Sequence, residues 1–474
     1  MKPLNKEILR LAIPSILANL TVPLVGLVDI AVAGHLDSSA AALIGGISIG
    51  SLMFDLMYWN FGFLRAGTGG MTAQAYGRED WTDCAAILRR GIGTALIAAI
   101  FLLLVQWPFQ KLIFLFVGCS DEVRSLALKY FYIRVWAAPA TLSLMALRGW
   151  FIGMQDTFSS MLTDVVVNGV NIICSILLAL GVPGTSFRGI GYIGIAWGTI
   201  IAQYSGLLFA AGILFLKYRK NIFARAGNVP GRPFTRIGRE AQGVQGPFAT
   251  RAGDGFREFF KVNRDLFVRS LCLMVIYLAF SAISARFGDT YLAMCSIMMK
   301  LMLIFSYFTD GFAFAGEALS GRFIGAADRP NLKETVRLTF IWSMGIGLLF
   351  IGIYSFAGIP MFRLMTADRT VVDAARDFIP WLAVIPLLGC PAFTWDGIYT
   401  GATATREMRD SNIGCVLSFF AIWFLGLLML KTAGGEPIPS RAKVHLLFAA
   451  YYSHLLFRSL YQTVKYKEAI LDRI

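Results

Sequence analysis

Residues 11–34 read LAIPSILANLTVPLVGLVDIAVAG, and Asp29 is the one charged residue among them. At about 1.5 Å of rise per residue, this run exceeds the ~20 apolar residues that cross ~30 Å of hydrocarbon. An Asp at the centre of such a helix costs about 2.5–3.5 kcal/mol on insertion scales. Pro14 and Pro23 lie in the same run. Each removes a backbone N–H and leaves a carbonyl one turn back without its donor. A costly acid on a helix with built-in weak points reads as a working part. The competing reading is an acid near the helix end that reaches the interface, since Gly34 is only five residues away.

The rest of the chain extends the membrane assignment. Of 474 residues, 57% are hydrophobic and 15% charged, with a mean hydropathy of +0.64, against about 25% charged in globular domains. The spacing predicts an all-α integral membrane protein with twelve spans, near 10–34, 41–65, 85–107, 123–147, 158–181, 189–216, 266–286, 291–320, 335–359, 378–400, 411–430 and 443–463. The first run is too long for a cleaved signal peptide. Seven dispersed cysteines with no CxxC pair read as small core residues. With three histidines a zinc site is not expected, and no cofactor is.

Basic residues set the direction of insertion. With the N-terminus cytoplasmic, inner segments and their adjoining helix ends carry 28 of the 43 Lys and Arg, and outer loops carry 10. The positive-inside rule then places both termini in the cytoplasm, and the expected location is a bacterial inner membrane. The segment 217–264 holds 11 of these residues and reads as a basic linker along the inner leaflet, not a nucleic-acid site. It separates 1–216, with helices 1–6, from 265–474, with helices 7–12.

The two parts repeat each other. Residues 62–67 (GFLRAG) return as 311–316 (GFAFAG) at an offset of 249. Gly77 and Asp80 return as Gly325 and Asp328, and Gly149, Gly153 and Thr157 as Gly397, Gly401 and Thr405, all at 248. Six spans per half is an even number, so both halves enter the membrane in the same direction, as in parallel-repeat transporters.

Polar residues inside the spans mark candidate sites. Asp164, Asn168, Asn171 and Ser175 share one face of span 5 by their 4-3-4 spacing. Lipid offers them no partner, so that face looks at protein or water. Thr199 and Gln203 follow on span 6, after Gly191, Gly194 and Gly198, which favour close helix approach. Span 2 adds Asp55, Tyr58 and Asn60. In the second half, Lys300 and Asp310 lie in span 8 and are candidates for a second cavity. Asp396, near the inner end of span 10, suits an inter-helix bond better than transport. No nucleophile elbow, zincin, Walker A or dinucleotide motif is present, which argues against an enzyme or a nucleotide-driven pump.

Several stretches carry a family resemblance. Residues 11–24 with Gly26, Asp29 and Gly34 are one. Arg65–Gly67 with Thr72, Ala73 and Gln74 is another. Asp310-Gly311-Phe312 with Gly316–Leu319, and Asp396-Gly397 with Gly401–Thr405, are the others. Together they resemble the multidrug and toxic compound extrusion (MATE) family, nearest its DinF-type branch. The resemblance implies two six-helix pseudo-symmetric lobes of the MOP superfold, most simply as a monomer. It implies antiport of amphipathic, often cationic, drugs or toxins against protons or sodium. It assigns proton coupling to Asp29 and an N-lobe pocket position to Asn171; the polar positions read above add Asn168, Ser175, Thr199, Gln203, Asp164 and Tyr58 as candidates for that cavity. Two departures matter. Ser175 stands where the family often has a second Asp, which weakens a sodium site, and Lys300 stands where a polar amide is common. A buried carboxylate takes up a proton more readily than one in water. Neutralised Asp29 would release its contacts to spans 5 and 6, and helix 1 would bend near Pro23. The rivals are a sodium-coupled exporter and a lipid-linked oligosaccharide or polysaccharide flippase, towards which Lys300 points.

Overall fold

The computed structural model describes residues 3–34, 36, 40–182, 184–222, 254–366, 368–433 and 439–474. Among them the secondary structure is helical, without strands. Helix α1 (Pro3–Gly34) is followed by α2 (Ala40–Trp59), a 3-10 turn at Asn60–Gly62 and α3 (Phe63–Gly77). Then come α4 (Trp81–Phe116), α5 (Asp121–Arg134), a 3-10 turn at Val135–Ala137, α6 (Ala138–Gly153), α7 (Thr157–Leu180) and α8 (Tyr192–Ile222). The later helices are α9 (Asp254–Ser284), α10 (Asp289–Gly325), α11 (Arg329–Met365), α12 (Arg369–Arg376), α13 (Ile379–Gly401), α14 (Thr405–Ala433) and α15 (Ser440–Ala469). Of the segment expected to be a linker, 217–222 extend α8 and 254–264 open α9. Residues 223–253 lie outside the described residues.

Two expected spans are compound, α2 with α3 and α5 with α6, and the short α12 precedes the span formed by α13. Eleven of the twelve are long and apolar enough to cross a membrane. The twelfth, α15, has thirty residues but carries Arg441, Lys443, Arg458, Lys465 and Lys467, which lower its mean hydropathy. Hydropathy also ends span 2 near residue 65, whereas α3 runs on to Gly77. That extension is small and polar, and Gly67, Thr68, Gly69, Gly70 and Thr72 are buried against protein, chiefly α6. An element that faces protein needs no lipid-like composition.

The described residues form two compact units. One contains 17–222 and 254–259; the other contains 3–16 with the described part of Phe260–Ile474. The division falls inside α1, whose first turns belong to the second unit. There Glu7 accepts both terminal nitrogens of Arg322, Asn5 accepts the Trp342 indole N–H, and Ile16 lies against Gly311.

Each unit contains the same internal joint, which carries the sequence repeat into three dimensions. A Cβ on Gly149 would lie 2.0 Å from the Arg65 carbonyl oxygen, and one on Gly397 would lie 2.0 Å from that of Ala313. Gly153 meets the Gly69 carbonyl as Gly401 meets that of Glu317. Four non-glycine residues have positive φ among those described: Glu79 (58°) and Gln155 (61°), then Ala327 (55°) and Thr403 (50°). These left-handed residues are uncommon outside glycine, and they pair at 248. Asp80 caps α4 through the Asp83 N–H, and Asp328 caps α11 through the Asn331 N–H. The register is therefore 248 through this joint, and the GFLRAG/GFAFAG match at 249 is one residue out of step. Gly149→Ala and Gly397→Ala should each cost about 1–3 kcal/mol or more, because a backbone carbonyl cannot yield without parting two helices. Gly93→Ala, where nothing lies within 4 Å, is the control. Equal thermal stability of all three detergent-solubilised variants would refute the joint.

Candidate functional site

In the first unit α7 packs chiefly on α8, and glycines set how closely. A Cβ at Gly194 would come within 2.6 Å of Leu178 backbone, and one at Gly198 within 2.7 Å of the Ser175 N–H nitrogen. Gly191, expected to join them, instead precedes α8 with a φ of +67° in open space. The close approach brings three polar side chains together in apolar surroundings. Asn171 donates from Nδ2 to the Thr199 hydroxyl at 3.1 Å, and the Ser175 hydroxyl lies 3.4 Å from Asn171 Oδ1. Thr199 donates in turn to the Ile195 carbonyl at 3.3 Å. All three are buried.

Asp29 joins this group from α1. It is 5% exposed, and the Ser175 hydroxyl lies within hydrogen-bonding reach of its carboxylate. Its Oδ1 has no donor among the described residues. An open oxygen on a buried carboxylate is a place for a proton, a water or a ligand N–H. Asn168, one turn along α7, ties α1 down separately: its Nδ2 donates to the Thr21 hydroxyl at 2.6 Å, which donates to the Ala18 carbonyl at 2.7 Å. Pro23 is exposed on a continuous α1.

The irregular turns of spans 2 and 4 supply a second set of groups. Pro139 lacks the N–H that would bond Val135, and the chain tightens there into a 3-10 turn whose Val135 carbonyl accepts from Ala138. Tyr204 of α8 donates to the Trp136 carbonyl in that turn at 3.0 Å. Arg134 closes α5 just before it. Its Nη1 donates to the Tyr130 hydroxyl at 3.0 Å, and its guanidinium carbon lies 4.7 Å from the Phe54 ring centre. Tyr58, the candidate on α2, stacks on Phe54 with ring centres 5.6 Å apart, and its buried hydroxyl has no hydrogen-bond partner among the described residues. Asp29, Tyr58 and Asp55 all lie within electrostatic reach of Arg134. The sequence offered a signal for Arg134: a basic residue inside a span, five positions before a proline. Hydropathy could not say that it lies within electrostatic reach of Asp29. In α10 the stretch matching the Asn60–Gly62 turn is uninterrupted.

The remaining candidates lie apart from this cluster. Asp164 forms an ion pair with Arg148 of α6 at 2.5 Å. Gln203 is half-buried and bonds none of the cluster. Lys300, a candidate for the second cavity, is exposed, and no carboxylate pairs with it among the described residues. Asp310 accepts from the Ser306 hydroxyl one turn away at 3.2 Å. Asp396 joins three helices: Arg269 of α9 and Arg458 of α15 donate to its Oδ2, and Gln462 Nε2 lies 3.4 Å from Oδ1. Asp156, in the turn before α7, caps that helix and accepts from Lys217 Nζ at 2.7 Å and the Tyr218 hydroxyl at 2.8 Å. Burial pushes its carboxyl up, but these hydrogen bonds outweigh burial and hold it below the usual carboxylate range. Among the described residues no three His, Cys, Asp or Glu side chains gather as a metal site.

Comparison with known proteins places this geometry among relatives. The MatE family model matches residues 14–177 and 266–427. DNA damage-inducible protein F of Escherichia coli is 33% identical over 424 residues, covering 89% of this chain and 86% of that one. A probable multidrug resistance protein NorM of Rhizobium meliloti is 24% identical over 423 residues, covering 88% and 84%. A crystal structure of MATE in the bent conformation superimposes with a TM-score of 0.79 at 15% identity, over 99% of this chain and 97% of that one.

Proposed function

The chain belongs to the MatE family, and from that premise we propose that it is a proton-coupled secondary transporter that exports amphipathic organic compounds. Asp29 carries the coupling proton. One observation supports this most: the buried Asp29 carboxylate lies beside Ser175, which bonds Asn171, and its Oδ1 has no donor among the described residues. Charged, it accepts the cationic group of a substrate. Protonated from the outer side, it loses that attraction and the substrate leaves. The two occupants compete for one carboxylate, which is what exchange requires. The expected topology is a bacterial inner-membrane protein with both termini cytoplasmic, following the distribution of basic residues.

The deciding measurement uses the purified chain in proteoliposomes. A fluorescent amphipathic cation should move uphill when an opposing proton gradient is imposed. It should stop when an uncoupler collapses that gradient. Uphill movement under a sodium gradient alone would replace proton coupling with sodium coupling. Movement of a lipid-linked sugar in place of the dye would favour the flippase.

A further inference from the structure

We propose that Arg134 is a second ligand-binding charge of the first unit, and that the compounds held best there carry a cationic and an anionic group together. This rests on the exporter function proposed above and specifies its substrate class. Arg134 and Asp29 are opposite charges within mutual reach that are not paired with each other. Arg134 Nη1 bonds the Tyr130 hydroxyl, and Asp29 Oδ1 has no donor among the described residues. Tyr130 is their shared neighbour, since it also lies within electrostatic reach of Asp29.

The contacts that hold Arg134 are neutral. The guanidinium rests against the rings of Phe54 and Tyr130, at 4.7 and 5.5 Å from their centres. Ring faces stabilise a cation without cancelling its charge. A guanidinium offers five N–H donors in a fixed fork that matches a carboxylate, sulfonate or phosphate. Asp55, the other carboxylate in its reach, is exposed.

Coupling logic selects among the ligands this pair could take. A purely anionic compound on Arg134 would be held more firmly once a proton neutralised Asp29, which opposes exchange. A purely cationic one would use Asp29 and face repulsion from Arg134. A compound with both groups places its amine at Asp29 and its anion at Arg134. Protonation of Asp29 then removes one anchor and leaves the amine facing a like charge.

The test measures binding to the purified full chain by fluorescence polarisation, without any gradient. The probes are a rhodamine with a free carboxylate and its ethyl ester, which differ only in the anionic group. Wild type should bind the free acid about ten-fold more tightly than the ester, as one charge-assisted contact implies. Arg134→Gln should abolish that preference and bind the ester at least as tightly as wild type, because the repulsion is gone; Arg134→Lys should keep part of the preference. A wild-type preference for the ester, or an acid-to-ester ratio unchanged in Arg134→Gln, overturns the proposal. Failure of the exporter reading registers separately, as loss of gradient-driven transport by wild type with the binding ratio intact.

Discussion

Asp29→Asn is expected to reduce the resistance of a pump-deficient host to the level of the empty vector, with unchanged amounts of protein in the membrane. Asn keeps the shape of the side chain and an acceptor for Ser175 but cannot exchange a proton. The substrate cation also loses a charge-assisted contact of about 2 kcal/mol, or about 30-fold in binding. In proteoliposomes, proton-driven dye movement should fall to background. The fold should survive, because removing a buried charge that forms no direct ion pair relieves a desolvation cost. The variant's melting temperature should therefore equal or exceed that of wild type. Full resistance, or retained uphill transport, would show that the coupling proton sits elsewhere.

Asp396→Ala should have the largest effect on stability, with the damage confined to folding. Arg458 is 1% exposed, and Arg269 and Arg458 converge on the same Asp396 oxygen. Removing the acid leaves two guanidiniums facing each other in the interior of the second unit. Breaking a buried ion pair from one side costs about 3–5 kcal/mol. Folded yield after brief heating, read by size exclusion, should fall sharply. Asp396→Asn should lie between, since an amide oxygen can still accept one hydrogen bond. A melting temperature equal to wild type would show that the arginines find other partners.

The repeat explains why this site is structural although its acid resembles a functional one. Arg148 and Asp396 occupy equivalent positions, 248 apart, with opposite charges. In the first unit Arg148 pairs with Asp164 on α7; in the second, Asp396 pairs with Arg269 on α9 and Arg458 on α15. The same place is thus used for an inter-helix polar tie, built once with each sign. Asp164 read from sequence as part of a cavity stripe because its spacing fits one helical face. Spacing reports the face of a helix and not the partner across from it. Lys300 makes the same point: its position in a span does not say whether its side chain has a partner, and packing shows it exposed.

Some of the cluster was legible beforehand. Asn171, Ser175 and Thr199 meet because small residues on α8 let α7 approach, and both the polar periodicity and the glycines are local patterns. Asp29 stood out by its cost in an uncharged run. Arg134 is one of several basic residues inside the spans, and its importance comes from Asp29 of α1 and Phe54 of α2 lying within its reach.

The sequence by itself determined the membrane class, the span pattern, the duplication near 248 and the exceptional place of Asp29. All of these follow from composition, period and spacing along one chain, which lipid enforces residue by residue. Tertiary structure alone decided which charges neutralise each other, where α1 passes from one unit to the other, and that Arg134 stands within reach of Asp29. Those are contacts between residues tens to hundreds of positions apart. Their energies depend on distances of a few ångströms that no local pattern encodes.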